Sequence, residues 1–121
     1  MDDVLTITVR RERGYVIVAV TGEIDISTVA GLRERLFELT EDSQPLIIDM
    51  NQVTFIDSAG LGALVGAARR AAANGASLYA VCERPQPRKL LWLTGVDRRI
   101  PLVTSLDAAL ASLAASGEVP G

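Results

Sequence analysis

Along this chain short β-rich or apolar runs take turns with stretches whose apolar residues recur every three to four positions, an order best buried by helices laid on a sheet. From Leu5 to Val9 the residues Leu, Thr, Ile, Thr, Val alternate apolar with polar, as a strand with one wet face does. Charged residues Arg10 to Arg13 and then Gly14 interrupt the pattern. Tyr15 to Val20 is a second β-rich run, so the pair predicts a hairpin turning near Gly14. Beyond Gly22-Glu23-Ile24-Asp25 the period lengthens. Val29, Leu32, Leu36 and Leu39 mark one face of a helix that should close near Thr40, with Asp25, Ser27 and Thr28 as alternative capping oxygens.

The remainder repeats the alternation. Leu46 to Met50, broken only by Asp49, predicts a central strand, and a helix follows from about Ser58 with Leu61, Leu64, Val65, Ala68 and Ala72 on one face and Asn74-Gly75 as its stop. Ser77 to Cys82 predicts the next strand, joined by a right-handed crossover and therefore parallel. Pro85 and Pro87 punctuate the chain before a short helix from Arg88 to Thr94. A last strand from Ile100 to Val103 carries Pro101, suited to an edge, and a final helix spans Leu106 to Leu113, with Ser105 as its cap. These elements make one α/β domain over residues 1–121, with 115–121 as a frayed tail.

Composition narrows the function. The hydrophobic content of 49% is ample for a core, and with only 4% aromatics that core must be aliphatic. Twelve Lys and Arg against fifteen Asp and Glu leave a net charge of -3, without the basic excess that draws a protein to nucleic acid. Cys82, the only cysteine, reads as a buried strand residue; one cysteine allows no internal disulfide, which fits a reducing compartment. No apolar run approaches the roughly twenty residues of a membrane span, and the N-terminus is acidic, so a cytoplasmic protein without membrane insertion is expected.

The chemistry concentrates in Val53-Thr54-Phe55-Ile56-Asp57-Ser58-Ala59-Gly60-Leu61-Gly62, which reads as a loop feeding a helix with Ser58 as its capping residue. Gly60, Gly62 and Gly66 each weaken a helix by about 1 kcal/mol relative to Ala, so a close approach by the sheet or by a partner must favour them. A hydrolase triad is excluded for want of any histidine, and Lys89, the only lysine, sits in no recognisable motif. The glycines match neither a P-loop nor a dinucleotide fingerprint. The pairs Arg69-Arg70 and Arg98-Arg99 read as solvated charges, and Trp92 as a partly buried packing residue.

Gly22-Glu23-Ile24-Asp25, Leu46-Ile47-Ile48-Asp49 and Phe55-Ile56-Asp57-Ser58-Ala59-Gly60-Leu61, with Thr104-Ser105-Leu106-Asp107-Ala108-Ala109-Leu110 near the end, resemble the STAS family, the bacterial anti-sigma factor antagonists and their relatives. The resemblance implies a mixed β-sheet of four to five strands with about four helices packed mainly on one face. It also implies partner switching in the control of transcription and stress responses. The unphosphorylated antagonist binds an anti-sigma factor with serine kinase activity and frees a sigma factor; the kinase phosphorylates the antagonist, and a PP2C-type phosphatase reverses the mark. On this chain Ser58 matches the phosphoacceptor. Asp25, Asp57, Ser58, Ala59, Gly60 and Gly62 are the expected partner-binding residues, without cofactor, metal or catalytic residue. Ala59 stands where many relatives carry Ser or Thr, which removes any second phosphosite there. The alternative is a non-phosphorylated STAS subunit docking on a membrane lipid-transport complex.

Overall fold

The short apolar runs build a five-stranded sheet in the computed structural model, which describes residues 5–117. Its strands are β1 (Thr6–Glu12), β2 (Tyr15–Ile24), β3 (Leu46–Ile56), β4 (Leu78–Val81) and β5 (Leu102–Val103), lying side by side in chain order. The helices are α1 (Val29–Leu39), α2 (Ser58–Ala73), α3 (Pro85–Leu93) and α4 (Leu106–Ser116). β1 and β2 form the expected antiparallel hairpin, with Gly14 at φ 91° in its turn, and every later pair is parallel.

The two faces of the sheet are buried by different helices. Val16, Val18 and Val20 of β2, Leu46, Ile48 and Met50 of β3, and Leu78 and Ala80 of β4 share one core with α1, α2 and α3; Cys82 lies in it, fully buried. The intervening residues Ile17, Ile47, Tyr79 and Val81 meet Ala109 and Leu113 of α4 on the opposite face. Three helices on one face and one on the other agree with the expected architecture. They follow from a sequentially ordered parallel sheet, in which crossovers of one hand all return over the same side.

Several boundaries move for identifiable reasons. β3 runs on to Ile56, so the expected loop from Val53 is largely strand. α2 buries Gly60, Leu61, Ala63, Leu64, Ala67 and Ala71, a face rotated from the expected one, and Ala72 is exposed. Pro85 and Pro87 begin α3 instead of preceding it, because the first turn of a helix has no use for the N–H that proline lacks. β5 is shorter than expected, beginning after Pro101. Ser105 caps α4 as expected, its Oγ accepting from the Ala108 N–H at 3.1 Å. Of the expected frayed tail, Ala115 and Ser116 belong to α4, Gly117 closes it at φ 78°, and 118–121 lie outside the described residues.

Candidate functional site

The site is built where two parallel strands stop together. Ile24 of β2 and Ile56 of β3 are register partners, and the Asp57 N–H donates to the Ile24 carbonyl at 3.2 Å. The loops that follow, from Asp25 and from Asp57, therefore leave the sheet side by side at the carboxyl ends of their strands, the rim where open α/β sheets ordinarily engage ligands.

In the second loop the chain turns directly into α2. Asp57, not Ser58, is the capping residue: its Oδ1 accepts from the Ala59 N–H at 2.9 Å and the Gly60 N–H at 3.2 Å. Asp57 is extended, with φ -115° and ψ -171°, as a capping residue should be, whereas Ser58 is already the first helical residue. This correction frees the serine. Ser58 is exposed, and among the described residues its hydroxyl has no hydrogen-bond partner in the protein. It stands at the amino end of a sixteen-residue helix, where the helix dipole is positive.

Gly60 lies beneath the site. It is buried, and a Cβ there would fall 2.6 Å from Ile56 Cγ1 and 2.7 Å from Ile24 Cγ2, so the absence of a side chain lets α2 press onto the ends of both strands. Gly60 therefore supports the surface without forming part of it. Gly62 faces open space and is exposed, Ala59 is half-buried, and Gly66 makes room for the Phe37 ring.

Asp25 organises the first loop. Its Oδ1 accepts from the Ser27 N–H at 2.9 Å, the Ser27 Oγ–H at 2.6 Å and the Thr28 N–H at 3.2 Å, while the Thr28 Oγ1–H donates to the Glu23 carbonyl at 2.8 Å. The Ser27 hydroxyl, then the Ser27 amide, hold the Asp25 carboxyl below the usual carboxylate value. Thr28 occupies the cap position of α1 without a side-chain cap bond, so of the three expected capping oxygens only that of Asp25 serves the amides entering the helix.

Sequence reading missed two features. Ile26, between Asp25 and Ser27, is 80% exposed; it stands three residues before Val29, on the apolar spacing of α1 but ahead of the helix itself. Trp92, expected to be partly buried, is 66% exposed beside the equally open Leu93. Of the arginine pairs, Arg70 lies over the Phe37 ring at 4.5 Å. No metal-holding cluster of Cys, Asp or Glu occurs among the described residues, and no helix among them is long and apolar enough to cross a membrane.

The STAS domain family profile matches residues 6–109. The anti-sigma-F factor antagonist RsfB of Mycobacterium tuberculosis is 30% identical over 109 residues, covering 89% of this chain and 88% of that protein. The anti-sigma-B factor antagonist of Bacillus subtilis is 34% identical over 74 residues, covering 61% of this chain and 68% of its own. Among solved structures, an anti-sigma factor antagonist from Mycobacterium paratuberculosis superposes with a TM-score of 0.85 at 33% identity, over 93% of this chain and 96% of that one.

Proposed function

The chain belongs to the STAS domain family, and from that premise we propose that it is an anti-sigma factor antagonist whose binding state is set by phosphorylation of Ser58. The observation that carries this reading is the unengaged, exposed hydroxyl of Ser58 at the start of α2, beside a loop held by a second carboxylate. Unphosphorylated, the rim formed by Asp25, Ile26, Ser58, Ala59 and Gly62 docks on an anti-sigma factor with serine kinase activity, which then releases its sigma factor. Phosphorylated, the rim no longer fits, and a PP2C-type phosphatase restores it. The setting for this cycle is the cytoplasm.

The energetics suffice. A phosphate adds about -1.5 to -2 charges. Facing one carboxylate of the partner at about 6 Å, it meets a repulsion of roughly 1 to 3 kcal/mol at effective dielectrics from about 80, that of water, down to about 40. Since each 1.4 kcal/mol is tenfold in affinity, charge alone weakens docking by roughly ten- to hundredfold. The fold is spared, because the new charge sits near the positive end of α2 and in solvent.

The test is reconstitution. Incubating the protein and ATP with each candidate serine-kinase anti-sigma factor from the source genome, followed by phosphopeptide mass spectrometry, should place one phosphate on Ser58. Calorimetry should then show the phosphorylated form binding that anti-sigma factor roughly ten- to hundredfold more weakly. A label elsewhere, or equal affinity of the two forms, overturns the reading.

A further inference from the structure

Strand β3 outruns its neighbour. Its last paired residue toward β4 is Asp49, opposite Val81, yet β3 continues to Ile56. On the edge facing away from β2, backbone polar groups along that stretch need partners that β4 does not supply. In an extended chain, successive residues direct their N–H and C=O groups to opposite edges. The Asp57 N–H is donated toward β2, so the N–H and C=O of Ile56 face the gap beyond β4.

One side chain fills both needs. The Ile56 N–H donates to Gln86 Oε1 at 3.1 Å, and Gln86 Nε2–H donates to the Ile56 carbonyl at 3.1 Å. A carboxamide carries a donor and an acceptor as a peptide group does, so Gln86 serves Ile56 as a residue of an adjacent strand would. Further back on the same edge Asn51 is tied to the same segment: its Oδ1 accepts from the Glu83 N–H at 2.7 Å and its carbonyl from Arg84 Nε–H at 3.0 Å. Gln86 itself lies between Pro85 and Pro87 in the first turn of α3, where two fixed φ angles stiffen its support.

Ile56 immediately precedes Asp57, the cap of α2, and Ser58 comes next. We propose that Gln86 is the positioning residue of the Ser58 site, fixing the end of β3 so that Asp57 meets the Ala59 and Gly60 amides and Ser58 is presented in one orientation. Its functional half rests on the partner-switch reading; its structural half does not. Methionine matches the length of glutamine without its hydrogen bonds, and ionised glutamate accepts but cannot donate.

The experiment compares wild type, Gln86→Met, Gln86→Glu and, as a control far from the rim, Ser105→Ala, which removes the cap of α4. By NMR amide exchange, Ile56, Ala59 and Gly60 should exchange about tenfold faster in Gln86→Met, while Gln86→Glu falls between and Ser105→Ala leaves the three amides unchanged. With the serine kinase identified by the reconstitution above, kcat/KM for Ser58 phosphorylation should fall at least about threefold in Gln86→Met and stay level in Ser105→Ala. Unchanged exchange at Ile56 in both Gln86 variants overturns the structural half. Faster exchange with unchanged kcat/KM overturns the functional half. If wild type accepts no phosphate from any candidate, the partner-switch reading falls and takes that functional half with it, while the exchange data still decide whether Gln86 holds the strand end.

Discussion

The junctions from β2 into α1 and from β3 into α2 begin alike, with Ile24-Asp25 and Ile56-Asp57 in register, and then diverge. The first takes three further residues, Ile26 to Thr28, to reach its helix; the second enters α2 at once. Each contains an exposed serine beside an aspartate that accepts backbone N–H groups. Ser27 has given its hydroxyl to Asp25 at 2.6 Å, whereas Asp57 caps through Ala59 and Gly60 and leaves Ser58 alone. Exposure therefore does not distinguish the two serines. The distinction lies in whether the hydroxyl is already engaged.

The sharpest way to break this contrast is to remove each hydroxyl in turn. Ser58→Ala should abolish labelling by the cognate kinase while the protein stays folded and bound to its anti-sigma factor, and Ser27→Ala should be labelled nearly as wild type; phosphopeptide mass spectrometry on both variants checks it. Next in size is Gly60→Ala, whose added carbon collides with Ile24 and Ile56 and should cost about 1 to 3 kcal/mol in urea unfolding. Gly62→Ala, two residues on, meets nothing within 4 Å and should be neutral or stabilising by up to about 1 kcal/mol in the same assay. Asp57→Ala should lose about 1 kcal/mol of capping, read from the urea midpoint.

The smallest effect separates the junctions by pH. The folded-state carboxyl of Asp25 lies below its ordinary value of 3.8, so its stabilising contribution is complete above that value and is lost as pH falls through the depressed one. Asp25→Asn should therefore show a shallower loss of stability than wild type below about pH 4, measured by acid titration of circular dichroism.

Much of this architecture was legible because period and punctuation agree. The Val29, Leu32, Leu36, Leu39 stripe gives α1, the Asn74-Gly75 stop closes α2, and Ser105 caps α4 as it reads. The end of β3 was not legible: Asn51, Gln52 and Thr54 are polar, and the extended conformation of this stretch is held by pairing with β2 and by the side chains of Arg84 and Gln86, some thirty residues away. The same blindness moved the cap. Asp and Ser are both good capping residues, and only the position of the strand end decides which one meets the first free amides. Ser58 was legible as a candidate through its resemblance to a known segment, whereas Gln86 carried no local signal, since its hydrogen bonds to Ile56 exist only against a strand edge that the sequence does not display.

The fit of Gly60 against Ile24 and Ile56 has one last consequence. With helix and strand ends in van der Waals contact, the rim has little slack with which to absorb a new charge by bending. Under the proposed switch, such a domain would work as a stamp whose face is re-engraved while its handle stays still, and the moving parts of the response would belong to whatever it is pressed against.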